Sequence, residues 1–170
     1  MRKTFCFGGS RLAKTMSERA PMVDGCVFCD IARRAPTSTT ALLYSDDKVV
    51  AFRDINPSAF RHYLVIPIDH IPTVNSLHKT KDDHQLVSHM VKVGKDLLNQ
   101  DAPNSEEHRF GFHQPPFNSV DHLHLHCLAL PFMPSKIDTL NQSFNFHLKL
   151  FGPLHMTVGG KSRYNNMVAL

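Results

Sequence analysis

The run His122-Leu123-His124-Leu125-His126 constrains this chain more than any other part of it. In an extended strand successive side chains point to opposite faces, so the three imidazoles share one face while Leu123, Leu125 and Cys127 share the other. A fold that accepts this run must bury the leucines in a sheet core and turn the imidazoles toward a functional surface. At about 3.3 Å per residue the outer two histidine Cα atoms lie roughly 13 Å apart. Zinc–nitrogen bonds are about 2 Å long, so one zinc cannot conveniently take all three rings. The three histidines are therefore expected to do different jobs, against the plain alternative of a histidine-rich surface strand. Histidine is also the compositional outlier, with twelve copies beside three tyrosines and no tryptophan.

At 170 residues, with 42% hydrophobic and 20% charged side chains, the chain suits one globular domain that buries its own core without disulfides. Nineteen Lys and Arg against fifteen Asp and Glu give +4. Arg2, Lys3 and Arg11 fall in the first dozen residues, and beyond Arg33-Arg34 there is no basic stripe, so no nucleic-acid partner is expected. No run of about 18 apolar residues occurs, so no membrane span is expected. Residues 1–25 are basic but interrupted by Glu18 and Asp24. They read as a disordered tail or a weak organelle-targeting segment on a protein of the cytoplasm, the nucleus or both.

From Cys26 the pattern is regular. Cys26 to Arg34 predicts a short helix with Val27, Phe28 and Ile31 on one side. Ala41–Tyr44 and Val49–Phe52 read as strands joined by the polar turn Ser45-Asp46-Asp47-Lys48, and His62–Pro67 as a buried strand. Asp82–Leu98 carries Leu86, Met90, Val93 and Leu97 at helical spacing. Arg109–His113 and His122–Leu130 complete five strands around the rigid Gln114-Pro115-Pro116-Phe117 turn. The expected class is α+β: an antiparallel sheet of about five strands, one long helix and a short N-terminal helix. Phe144–Leu150 alternates like a further strand, whereas 156–170 reads as poorly ordered. Residues 132–170 thus form a divergent, partly disordered C-terminal segment after a domain at 26–131.

Cys26-x-x-Cys29 is compatible with a redox pair, two small buried hydrophobes or half of a zinc site. A redox motif of this spacing belongs between a strand and a helix, and the preceding 25 residues supply no strand, so zinc is favoured. His78, His84, His89 and His108 read as solvated.

The stretch His122–Ala129 resembles the signature of the histidine-triad family. Phe52-Arg53-Asp54-Ile55, His62-Tyr63-Leu64-Val65-Ile66-Pro67, His70-Ile71 and Asn118-Ser119 resemble family elements in the same order, over residues 26–131. The wording Arg109-Phe110-Gly111-Phe112-His113-Gln114-Pro115-Pro116-Phe117 is similar to the Hint branch, and most to plant members with a Phe-His-x-Pro-Pro-Phe loop.

The resemblance implies a hydrolase and nucleotidyl transferase that cleaves adenosine 5′-phosphoramidates and adenosine 5′-phosphosulfate. His124 would form a covalent nucleotidyl-histidine, His126 would donate to a phosphate oxygen, Ser119 would help protonate the leaving group, and His62 would join the network. It implies that Asp54 holds the ribose, that Val27, Phe28, Ile31, Phe52 and Ile55 sandwich the base, and that His113 and Asn118 lie near the phosphate. It further implies a structural zinc on Cys26, Cys29, His70 and His122, an AMP-type ligand, a homodimer and no organic cofactor. A non-catalytic nucleotide-binding adaptor and a dinucleoside polyphosphate hydrolase are the rival functions. DNA deadenylation would want a basic extension that the C-terminal segment does not supply.

Overall fold

The computed structural model describes residues 23–133 apart from Lys79, Gln114 and Phe117. The expected tail up to Met22, the Phe144–Leu150 strand and the readings for 132–170 beyond Met133 lie outside them. Strands β1 (Leu42–Ser45) and β2 (Val49–Arg53) form the expected hairpin. Its turn closes because Asp46 Oδ1 accepts the backbone N–H groups of Lys48 and Val49, both at 2.8 Å. Strand β3 (Ala59–Pro67) runs nine residues, starting three earlier than expected, because the exposed Phe60 and the polar Arg61 hid its first turn of alternation. Strand β4 (His108–Gly111) takes one edge and β5 (Leu125–Phe132) lies between β3 and β4, giving the antiparallel order β1-β2-β3-β5-β4.

One face of the sheet is covered by helix α2 (Lys81–Asp101). Thr80 caps it by accepting the Asp83 N–H at 3.2 Å, and Asp82 and Asp83 oppose the positive helix end. Val87, Met90, Val91, Val93 and Leu98 are buried with Tyr63, Val65, Leu125, Cys127 and Ala129 of the sheet. Leu86 and Leu97, expected on the apolar stripe with Met90 and Val93, are only partly buried. Val87, Val91 and Leu98 widen the apolar surface toward one side, and the helix seats on that wider face.

The opposite face carries Val50, Phe52, Leu64 and Ile66 under helix α1 (Val27–Ala32), which contributes Phe28, Ile31 and Ala32. Val27 departs from expectation. It is 50% exposed, because neighbouring helical residues point about 100° apart and Phe28 takes the inward direction. The histidine strand also needs correction, since the ladder begins at Leu125 rather than His122. Before that point the chain leaves β3 and the Leu123 N–H bonds to the Ile71 carbonyl at 2.6 Å. The segment is still extended enough to keep its alternation: Leu123, Leu125 and Cys127 enter the α2-side core, and His122, His124 and His126 are buried on the α1 side.

Candidate functional site

Two histidine-containing clusters share the α1 side of the sheet. The first joins the start of α1, the turn after β3 and the approach to β5. Cys26 and Cys29 Sγ each lie 3.6 Å from His122 Nδ1, and Cys29 Sγ lies 3.2 Å from His70 Nδ1. The ligating atoms of all four residues lie within 4.8 Å of one another. Tetrahedral bonds of about 2.3 Å to sulfur and 2.0 Å to nitrogen put S and N about 3.5 Å apart, so these spacings suit a zinc ion. The donor chemistry fits as well. His122 Nε2–H donates to the Pro67 carbonyl at 3.0 Å, which leaves the Nδ1 lone pair aimed at the cysteines. Burial lowers His122 to about 4, so its ring is neutral at pH 7 and able to ligate; burial raises the Cys29 thiol, so a bound cation would have to displace its proton. Four protein donors would fill every position of a tetrahedral ion here, which is the composition of a structural site.

The second cluster is set by β3 and β5. Leu64 pairs with His126 and His62 with Leu128, so the two histidines project from adjacent strands on one face. His62 Nε2 lies 2.8 Å from His126 Nδ1. The Ser58 N–H points at His62 Nδ1, 3.2 Å away. A backbone N–H can only donate, so His62 Nδ1 accepts, His62 Nε2 carries the proton, His126 Nδ1 accepts it, and His126 Nε2 bears the remaining N–H. His124 is fixed the other way: its Nδ1–H donates to the His122 carbonyl at 2.6 Å, which leaves a lone pair on Nε2. Burial lowers both His124 and His126, His126 well below the usual imidazole value, so both rings are neutral near pH 7. The site thus pairs one nucleophilic nitrogen with one hydrogen-bond donor.

His113 lies above them, its ring centroid 4.2 Å from that of His126 and 5.9 Å from that of His124. Burial, then the neighbouring His124, lowers it to about 4. Asp54 sits just past β2, with Oδ1 accepting the Asn56 N–H at 2.7 Å and Oδ2 3.4 Å from His62 Nε2. Phe28 packs its ring edge-on to His124 at 5.3 Å and to Phe52 at 5.7 Å. Ile31 and Phe52 are core residues, whereas Ile55 is 92% exposed. Asn118 Nδ2 donates to Asp121 at 2.6 Å, and Ser119 is exposed on the same loop.

The structure therefore brings His62, His124, His126, His113, Asp54 and Phe28 together, and gathers the four metal candidates separately. Val27 and Ile55 stand at the surface. The Ser58 amide and the Pro67 carbonyl, which fix two ring tautomers, were invisible to sequence reading because any residue supplies them. His89 on α2, read as solvated, instead meets Asp46 of the β1–β2 turn at 2.6 Å; a hydrogen-bond partner 43 positions away leaves no local signal.

Residues 25–140 match the family model described as "Scavenger mRNA decapping enzyme C-term binding". The chain is 65% identical over 109 residues to an Arabidopsis thaliana protein named bifunctional adenosine 5′-phosphosulfate phosphorylase/adenylylsulfatase HINT4, a match covering 64% of this chain and 73% of the relative. It is 48% identical over 105 residues to the Xenopus tropicalis adenosine 5′-monophosphoramidase HINT3, covering 61% of this chain and 67% of the relative. A solved histidine triad protein from Clostridium difficile superposes with a TM-score of 0.58 at 28% identity, covering 67% of this chain and 97% of the other. With its fold, its histidine strand and these relatives in agreement, the chain belongs to the histidine-triad family, in the Hint-like branch.

Proposed function

We propose that this protein is a nucleotide-binding hydrolase that cleaves adenosine 5′-phosphoramidates through a nucleotidyl-His124 intermediate. The observation that carries the reading is the 2.6 Å bond from His124 Nδ1 to the His122 carbonyl, which leaves the other ring nitrogen with the lone pair that a nucleophile needs. The names of the relatives, a monophosphoramidase and an adenylylsulfatase, supply the substrate class.

In this reading His124 Nε2 bonds to the α-phosphorus as the bond from phosphorus to the leaving nitrogen breaks. Neutral imidazole suits both steps, because it attacks without first losing a proton and leaves readily once phosphorylated. His126 Nε2–H donates to a non-bridging phosphoryl oxygen. Ser119, exposed on the loop five residues before His124, helps protonate the departing amine. Water then attacks phosphorus, the nitrogen–phosphorus bond breaks, and the nucleoside monophosphate departs. Asp54 accepts from the ribose hydroxyls, and Val27, Phe28 and Ile55 flank the base, with Ile31 and Phe52 supporting Phe28 from the core. His113 and Asn118 border the phosphate.

The reading includes a structural zinc held by Cys26, Cys29, His70 and His122, where it would tie α1 to the approach of β5. The domain is residues 26–131. A homodimer that continues the sheet is supported by β4, which among the described residues lies at the sheet edge beside β5 alone, and sedimentation at micromolar concentration tests it. The 65% identity to a protein named adenylylsulfatase favours adenosine 5′-phosphosulfate as a second substrate.

Turnover by the purified protein of adenosine 5′-phosphoramidate, adenosine 5′-phosphosulfate and a dinucleoside polyphosphate tests the assignment. Hydrolysis of the first two with slow attack on the third is expected. Binding of AMP without turnover of any of them would favour the adaptor reading.

A further inference from the structure

We propose that Asp54 is a positioning residue for the phosphoryl end of the site, locking the tautomer of His62 and, through it, that of His126. The inference rests on the reading of His126 as the phosphoryl donor and adds a second task to a carboxylate otherwise assigned to the ribose.

The geometry is a short chain of donors and acceptors. The Ser58 N–H at 3.2 Å favours His62 Nδ1 as an acceptor and so the His62 proton on Nε2, a bias that one backbone bond of this length supplies only in part. That proton faces two acceptors, His126 Nδ1 at 2.8 Å and Asp54 Oδ2 at 3.4 Å. Asp54 cannot swing aside freely, because its other oxygen is held by the Asn56 N–H at 2.7 Å. Ligand atoms of Asp54, His62 and His126 all lie within 4.8 Å of one another.

The alternative tautomers put the proton on His126 Nδ1 and on His62 Nδ1. The first effect would be two donors facing each other at Ser58. The second, which depends on Asp54, would be a His62 Nε2 lone pair that accepts from His126 but turns toward the Asp54 carboxylate 3.4 Å away in a buried site, where such repulsion is weakly screened. Asp54 thus penalises the arrangement in which His126 would offer a lone pair, rather than an N–H, to a negatively charged phosphoryl oxygen. His113 and His124 also pack against His126, at ring-centroid distances of 4.2 and 5.0 Å, and neither brings a carboxylate that could replace this bias. Because the same carboxylate is proposed to take the ribose hydroxyls, nucleoside recognition and the readiness of the phosphoryl donor share one side chain.

Asp54→Asn separates the two tasks, since asparagine keeps an acceptor for the Asn56 N–H but removes the charge. The full-length protein is assayed with 2′,3′-dideoxyadenosine 5′-phosphoramidate, which lacks the hydroxyls of the ribose role. A fall in kcat of about tenfold or more is expected, below the effect of deleting an oxyanion donor outright, with a smaller change in KM and a shifted pH profile. Nitrogen-15 histidine spectra of the ligand-free protein should report Nε2–H tautomers for His62 and His126 in the native chain and mixed tautomers in the variant. Unchanged tautomers overturn the proposal whatever kcat does, and an unchanged kcat on the dideoxy substrate assigns Asp54 to the ribose alone. Should the native chain leave phosphoramidates intact, the functional reading fails, and the spectra still decide the tautomer lock.

Discussion

His122 serves both clusters at once: its ring nitrogen Nδ1 lies 3.6 Å from the sulfurs of Cys26 and Cys29, and its carbonyl accepts the Nδ1–H of His124 at 2.6 Å. The backbone that carries a metal candidate therefore also fixes the ring proposed as nucleophile. The division of labour follows from strand alternation, which puts both side chains on the α1 side with Leu123 between them on the other.

Replacing His124 by Asn is expected to reduce kcat by at least about a thousandfold while AMP affinity changes little, because a residue that forms the covalent bond acts on the chemical step. Rapid quenching with a radiolabelled adenylyl donor should leave label on the native chain and none on the variant. Retention of more than a tenth of native turnover would remove the covalent mechanism.

The zinc assignment predicts about one equivalent of metal per chain by elemental analysis of protein purified without chelator. Cys26→Ser should lose it and unfold at lower temperature, since a closed Cys₂His₂ site contributes directly to folding. A native chain that is metal-free and equally stable with and without chelator contradicts it.

Much of this was legible in the residues. The Leu–His alternation carried the two faces of β5 and the separation of His122 from His126, and apolar spacing carried α2. Sequence could not say where the ladder starts, because the His–Leu alternation runs through His122 and His124 whether or not they pair, and only the Leu123–Ile71 bond reveals the detour. Nor could it orient Val27, since three apolar residues within one turn do not say which of them faces the sheet. The tautomers of His62 and His122 depend on backbone groups of Ser58 and Pro67, which leave no mark on side-chain patterns.

Gly94 is a point of close approach between α2 and β5. A Cβ there would meet Cys127 Sγ well inside contact distance and Phe110 Cε1 at 3.3 Å. Helix propensity alone would reward Gly94→Ala by up to about 1 kcal/mol, whereas overpacking costs about 1 to 3 kcal/mol. Because Cys127 is fully buried and has little room to rotate, the steric effect should win, leaving a net loss of roughly 1 to 2 kcal/mol in urea unfolding. The double variant Gly94→Ala, Cys127→Ala should be more stable than the sum of the two single effects, since the new methyl would occupy the space left by the sulfur. A stabilised Gly94→Ala would mean that the helix stands further from the sheet.

Acid should weaken the fold before any carboxylate titrates. Burial lowers His113 to about 4 and His126 well below its ordinary value, whereas in the unfolded chain both titrate near 6.5. Well above pH 6.5 both states are neutral and these rings leave stability unchanged. Below it the unfolded state binds protons that the folded state refuses, so the free energy of unfolding falls as pH drops, until the folded rings titrate in turn. For His113 the loss between pH 7 and 5 should be about 1 to 2 kcal/mol, read from urea titrations of the metal-loaded protein. Protonation of the metal ligands adds its own acid sensitivity, so the decisive quantity is the difference between the native chain and His113→Asn. The variant should lose less stability than the native chain over that interval. Parallel curves for the two proteins would mean that His113 is as protonatable in the folded state as in the unfolded one, and its place over His126 would have to be abandoned.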